Sequence, residues 1–171
     1  MEALPQQRIY LVPNRCLGCE ECIQACAKAH DMEARNFLLR IEGIPVPMRC
    51  AHCTDPACMA SCPVGAIEKT ADGRVTIDHD ACIQCRNCYF ACPYGMIQIS
   101  ETLNKPVKCD LCHDKIEAGV YKEPVCVSNC ALQALYFGLL EDLQEERDKK
   151  IAAEVLDRGH LVSEIMGYKE A

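Results

Sequence analysis

Cys82-Ile83-Gln84-Cys85-Arg86-Asn87-Cys88-Tyr89-Phe90-Ala91-Cys92-Pro93 decides how the rest of the chain is read. Three cysteines at steps of three wrap one loop around an iron–sulfur cubane and reach three of its irons. The fourth, read as opening the following helix, points away toward a neighbouring cluster. A zinc site presents two pairs with a longer gap between them, so three cysteines in one short loop do not suit a single tetrahedral ion. Upstream, Cys50, Cys53, Cys58 and Cys62 have the spacing Cys-x2-Cys-x4-Cys-x3-Cys and again run into a proline. Cys62-Pro63-Val64-Gly65-Ala66-Ile67 recurs as Cys92-Pro93-Tyr94-Gly95-Met96-Ile97, the mark of two related halves. Between them, Asp72-Gly73 interrupts two alternating segments over Ile67 to Ile77 and predicts a hairpin.

Further out, two more groups complete the set. Cys16, Cys19, Cys22 and Cys26 repeat the first spacing, and Cys109, Cys112, Cys126 and Cys130 carry a thirteen-residue gap in the middle. Sixteen cysteines divide into four complete groups with none left over. Cysteine is about 9 % of the 171 residues, a density that marks a disulfide scaffold or a metal binder. There is no Trp and only three Phe, so something other than aromatic packing has to staple the fold. A disulfide protein would be secreted behind a signal peptide. This chain opens Met1-Glu2-Ala3-Leu4-Pro5, and its longest early apolar run, Ile9 to Val12, is four residues. The expectation is a cytoplasmic chain whose reduced thiols bind metal.

The formal charge is −7 without the thiols. Each site of four thiolates around a doubly positive [4Fe–4S] core adds about −2, taking the loaded chain to roughly −15. Nucleic acid is excluded as a partner, because binding it takes clustered Lys and Arg. No polybasic or lipidation motif points to a membrane. Gly-x-Gly-x-x-Gly is absent and no nucleophile–base set is present, so neither NAD or flavin binding nor catalysis is expected of this chain.

Which cysteine completes which site has two solutions. The repeat points to a nested scheme. In it Cys50, Cys53 and Cys58 join Cys92, and Cys82, Cys85 and Cys88 join Cys62. The outer groups are left to pair across the chain: Cys16, Cys19 and Cys22 with Cys130, and Cys109, Cys112 and Cys126 with Cys26. The rival scheme joins the first group to the second and the third to the fourth.

Three stretches carry a resemblance: Cys16-Leu17-Gly18-Cys19-Glu20-Glu21-Cys22, Cys50-Ala51-His52-Cys53-Thr54-Asp55-Pro56-Ala57-Cys58, and Lys108-Cys109-Asp110-Leu111-Cys112-His113-Asp114-Lys115-Ile116. Over residues 8 to 137 the chain resembles the four-cluster ferredoxin-like subunits of anaerobic oxidoreductases. These include the iron–sulfur subunits of formate dehydrogenases, formate hydrogenlyase and dimethyl sulfoxide reductase, and the carbon monoxide dehydrogenase partner protein. The resemblance favours the nested scheme. It implies a relay that passes single electrons between a catalytic subunit and a distant acceptor or donor. The implied catalytic partner is a molybdenum or tungsten enzyme for formate or an aldehyde, a hydrogenase, or a carbon monoxide dehydrogenase. Some relatives lose one cysteine and hold a three-iron cluster; none is lost here, so four [4Fe–4S] clusters are expected. Two features depart from the pattern. Ala27 and Ala131 follow Cys26 and Cys130, where proline is common. The chain is also short for the family, which argues against a periplasmic, quinone-linked role.

The expected fold is α+β. An outer two-cluster module is built from 1–49 and 100–137, an inner ferredoxin-like module from 50–99, and a helical tail from 138–171. Short hairpins and short helices make up the modules. His52 and His113 are read as supporting or surface residues, Lys108 as solvated, and Met48, Met59 and Met96 as packing against clusters. Gly18, Gly65 and Gly95 are read as allowing tight loops near sulfur. The tail predicts a helix over 139–158 with Glu145–Lys149, Glu146–Lys150 and Glu154–Arg158 pairs, ended by Gly159, and a second short helix over 161–166. It packs on its own core, or docks on a catalytic, flavin- or NAD-binding subunit or a second copy. The alternatives to a fixed relay subunit are a freely diffusing polyferredoxin and a cluster-bearing structural protein.

Overall fold

The computed structural model describes residues 7–145. No strand pair within it grows into a larger sheet: eight short strands form four separate two-stranded sheets. Strand β1 (Arg8–Leu11) pairs with β8 (Leu135–Gly138), joining the two ends of the first compact unit, which closes at Phe137. Three antiparallel hairpins lie between them: β2 (Asn36–Ile41) with β3 (Ile44–Arg49), β4 (Ile67–Lys69) with β5 (Val75–Ile77), and β6 (Gln98–Ile99) with β7 (Pro106–Val107). The helices are α1 (Glu21–Ala29), α2 (Ala57–Ala60), α3 (Asn87–Ala91), α4 (His113–Glu117) and α5 (Val125–Ser128). Short antiparallel pairs beside short helices make this an α+β, ferredoxin-like fold.

The β4–β5 hairpin sits where Asp72-Gly73 predicts it, with Ile67 opposite Ile77 and Gly73 at φ +79. The longest hairpin, β2–β3, has no counterpart in the sequence expectations, because Pro45 and Pro47 demote that run as a strand. The register explains how both prolines are accommodated. Glu42 and Gly43, at φ +51 and +84, make the two-residue turn, and Ile41 faces Ile44. Arg40–Pro45 and Leu38–Pro47 then fall on alternate pairs, the positions in an antiparallel ladder that exchange no hydrogen bonds.

Apolar packing is divided into two small clusters. Ile67, Val75, Cys88 and Ile97 form one, with Cys58, Cys62, Ile77 and Cys92 packed against it; Ala29, Cys112 and Val125 form the other. Cysteines belong to both, so the core is continuous with the thiol sites. Elements of two to nine residues do not persist alone in water.

A second unit begins at Gly138. Residues 140–145 are helical, and the Leu143 N–H donates to the Leu139 carbonyl at 3.3 Å. The rest of the expected 139–158 helix, its three charge pairs and the second helix lie outside the described residues. No helix among the described residues is long and apolar enough to cross a membrane.

Ile97, 1 % exposed, is central to the larger cluster. Ile97→Ala should cost about 2–5 kcal/mol. In a denaturant titration of the loaded protein, its cluster absorbance should bleach at a clearly lower midpoint than the wild type's.

Candidate metal centres

All four groups place their third cysteine at the second residue of a helix: Cys22 in α1, Cys58 in α2, Cys88 in α3 and Cys126 in α5. All four also bend the backbone ahead of the second cysteine. Gly18, His52, Gln84 and Leu111 have φ of +71, +47, +61 and +62, although only one is glycine. Such strain persists where the surroundings over-determine it, and it collects at functional loops. Beyond this shared bend the loops fall into two kinds. In the first and third groups a second left-handed residue, Glu20 or Arg86, caps the helix. In the second and fourth groups a proline, Pro56 or Pro124, does so. The second and third groups thus include one loop of each kind, as do the first and fourth.

The fourth cysteine does not open a following helix, as the sequence suggests; it ends, or lies near the end of, the helix begun at the third. Cys92 caps α3, and Cys62 and Cys130 lie just beyond α2 and α5. Each then heads the same turn. The N–H groups of Gly65, Gly95 and Gln133 return to the carbonyls of Cys62, Cys92 and Cys130 at 3.4, 3.2 and 2.9 Å. One residue later, Ala66, Met96 and Ala134 donate N–H to the three sulfurs at 3.2, 3.3 and 3.2 Å. The turn therefore survives at Cys130 without proline or glycine, with Gln133 at φ +49. Cys26 differs. With Ala27 next, α1 runs on to Ala29, and the sulfur takes its N–H from Arg35 at 3.3 Å instead.

These turns bring cysteines from distant loops to common cavities. One is lined by Cys62, Cys82, Cys85 and Cys88. A second has Cys50, Cys53, Cys58 and Cys92. A third has Cys16, Cys19, Cys22 and Cys130. The walls are otherwise mainly apolar, with Ile83 and Val64, Ala51 and Tyr94, and Leu17 and Leu132 at the three sites. Cys26, Cys109, Cys112 and Cys126 are all buried. Burial pushes the Cys109 thiol up, Cys126 up to about 12 and Cys26 up to about 11, and charge on other members of this foursome pushes the same way. All sixteen are unpaired thiols. Four unpaired sulfurs, converging in mainly apolar surroundings with backbone N–H donors behind them, fit a strongly positive metal core that displaces their protons.

Charged side chains surround the sites in places that the spacing does not reveal. Lys108 is not solvated, as expected, but 5 % exposed, with Nζ donating to the carbonyls of Val75 and Cys109. Buried His52 accepts the Val75 N–H on Nδ1 at 3.0 Å. Burial, followed by Lys108, Arg8 and Arg74, holds it down to about 3, so it is neutral. His113 contacts Arg74 at 2.7 Å and Glu117 at 2.9 Å. Met96 lines the second cavity, whereas Met59 is exposed. Sequence reasoning missed His30, whose Nε2 lies 3.7 Å from the Cys112 sulfur. It also missed Arg35, which pairs with Asp110 at 2.9 Å. Neither lies inside a cysteine loop, so no spacing rule could find them.

Residues 41–140 match the 4Fe–4S dicluster domain family. This protein belongs to that family. The match takes in the second, third and fourth cysteine groups and carries [4Fe–4S] clusters with it as the cofactors. The chain is 36 % identical over 174 residues to one subunit of the anaerobic dimethyl sulfoxide reductase of Escherichia coli K12, covering 91 % of this chain and 84 % of that subunit. It is 36 % identical to an iron–sulfur protein of Rhodospirillum rubrum, over 84 % of this chain and 90 % of that one. It is 28 % identical to the iron–sulfur subunit of the nitrate-inducible formate dehydrogenase of Escherichia coli K12, over 81 % of this chain and 56 % of that one. As a dicluster protein it is an iron–sulfur electron-transfer protein.

The repeated turn of this dicluster protein can be tested at two of its copies. An added Cβ at Gly95 meets nothing within 4 Å, so Gly95→Ala costs only the left-handed backbone, about 1–2 kcal/mol. Gln133→Gly should move stability the other way, by up to about 1 kcal/mol once the added chain entropy is subtracted. Opposite shifts in the denaturant midpoint of cluster bleaching are expected from the two variants.

Proposed function

We propose that the chain holds four [4Fe–4S] clusters on the nested cysteine sets and works as a non-catalytic relay subunit of an anaerobic oxidoreductase. The observation that carries this reading is the convergence of each three-cysteine loop with a fourth cysteine from another loop. Cys62 serves Cys82, Cys85 and Cys88; Cys92 serves Cys50, Cys53 and Cys58; Cys130 serves Cys16, Cys19 and Cys22; Cys26 serves Cys109, Cys112 and Cys126. The two modules follow from these sets, the outer from 1–49 with 100–137 and the inner from 50–99. Bound clusters supply one-electron chemistry, and the chain's own residues hold them, keep water away with apolar walls and direct N–H groups at the sulfurs. Such donors stabilise negative charge on sulfur and help set the potentials.

Relatives named as a subunit of an anaerobic dimethyl sulfoxide reductase and as an iron–sulfur subunit of a formate dehydrogenase support a catalytic subunit of reductase or dehydrogenase type as the partner. Sixteen unpaired thiols suit the reducing cytoplasm. The segment that begins at Gly138 is assigned to docking on that partner, since it starts a unit of its own.

Anaerobic purification of the native protein, with metal analysis and mass spectrometry of whatever accompanies it, tests this reading. The expected result is about sixteen irons per chain, by the cubane stoichiometry, and a stoichiometric partner containing molybdenum, tungsten, nickel or flavin. A chain ending at Phe137 should keep its iron and lose the partner. A brown protein that purifies alone with the full iron content would be a diffusing carrier and would overturn the relay-subunit assignment.

A further inference from the structure

Three of the four groups place a backbone N–H on the sulfur of their last cysteine, through the turn headed by Cys62, Cys92 or Cys130. Cys26 heads no such turn, because α1 runs on past it to Ala29. The segment that follows takes over the task and adds to it. His30 caps the end of α1, and Ala29 before it packs against Cys112 and Val125. That packing sets a buried imidazole, 6 % exposed, against the fourth group, with Nε2 at 3.7 Å from the Cys112 sulfur. Further along, the Arg35 N–H donates to the Cys26 sulfur at 3.3 Å, and Arg35 Nη1 donates to Asp110 Oδ2 at 2.9 Å. Asp110 in turn accepts the Cys112 N–H on Oδ1 at 2.9 Å. Residues 30–35 thus bear on two sulfurs from groups far apart in sequence, with Asp110 fixing the loop between them.

Ligand atoms of His30, Asp110 and Cys112 lie within 4.8 Å of one another, close enough for a separate metal ion. Asp110, however, is engaged by Arg35 and by the loop backbone. The nested set already supplies four thiolates to its cluster, so the imidazole is not needed as a ligand. A ligated thiolate carries no proton and can only accept, which makes the ring nitrogen facing it the donor. At Cys26, Cys50, Cys62, Cys92 and Cys130 the donors are backbone N–H groups. At Cys112 the donor is a side chain, and a substitution can remove it.

We propose that His30 is a positioning residue for electron transfer, donating its Nε2–H to the Cys112 sulfur and raising the reduction potential of the cluster on Cys26, Cys109, Cys112 and Cys126. The proposal rests on that cysteine set and adds to it the side chain that tunes it. One electron from the donor takes a four-thiolate site from about −2 to about −3. Part of the extra charge falls on sulfur, and a buried N–H aimed at that sulfur stabilises the reduced site more than the oxidised one. No proton is transferred and no bond is broken.

The test is an EPR-monitored redox titration of the loaded protein with dithionite at fixed pH. Wild type is compared with His30→Leu, which keeps bulk and removes the donor, and with His30→Gln, which keeps an N–H at similar reach. Cys112→Ser and Cys58→Ser identify the signal concerned and one from the inner module. His30→Leu should lower the reduction equilibrium of the first signal by about tenfold, or about 59 mV for a one-electron couple, and leave the second in place. His30→Gln should fall nearer to wild type. An unchanged midpoint in fully loaded His30→Leu, or equal shifts in both signals, would overturn the proposal. Loss of iron from both His30 variants would also overturn it, by assigning the imidazole to structure. If Cys112→Ser altered no signal, the cluster assignment itself would fail, whatever the His30 variants do.

Discussion

A loop that presents three sulfurs and must find a fourth elsewhere is the constraint from which the rest of this structure follows. Four such loops sit in one unit, and each shares its cavity or buried cluster with a cysteine from another loop. The proposed crossing ties residue 26 to the 109–126 segment and residue 130 back to 16–22. Secondary structure is correspondingly slight. Hairpins of two to six residues per strand and helices of four to nine need only carry the chain from one thiol to the next. The apolar clusters are small and partly made of the cysteines themselves. Burial alone would stabilise so few side chains by only a fraction of what ordering the chain costs. Metal ligation is the contribution that completes the balance.

Backbone geometry repeats around that constraint more faithfully than side-chain identity does. The left-handed residue before the second cysteine is Gly18, His52, Gln84 or Leu111, and the bend is the same each time. The turn after the fourth cysteine keeps its N–H to sulfur bond whether it is built with Pro63 and Gly65 or with Ala131 and Gln133. In the proposed nested scheme, one loop of each kind in each half makes two versions of one module, the inner version standing within the sequence of the outer.

Cysteine spacing, the Cys-Pro-x-Gly repeat and Asp72-Gly73 made the α+β fold and the β4–β5 hairpin legible from sequence, because each encodes a local geometry. The β2–β3 hairpin was hidden by Pro45 and Pro47, whose tolerance depends on a register that only pairing defines. Lys108 looked solvated because burial is set by what the fold lays over a residue, and nothing adjacent in sequence reports it. The third copy of the post-cysteine turn escaped notice for a related reason. Gln133 stands where the other copies have glycine, so the pattern persists in hydrogen bonds after it has faded from the letters. His30 and Arg35 come from the segment after α1, and only the folded chain brings them to Cys112 and Cys26.

The central claim is that each cluster is held across loops. The most direct check is EPR of the reduced protein bearing a single substitution at Cys130, the ligand most distant in sequence from its proposed partners. Cys130→Ser should alter the same one of four signals that Cys19→Ser alters and leave the signal sensitive to Cys112→Ser intact. If Cys130→Ser and Cys112→Ser changed the same signal, the fourth group would hold a cluster by itself, and the crossed arrangement would be wrong.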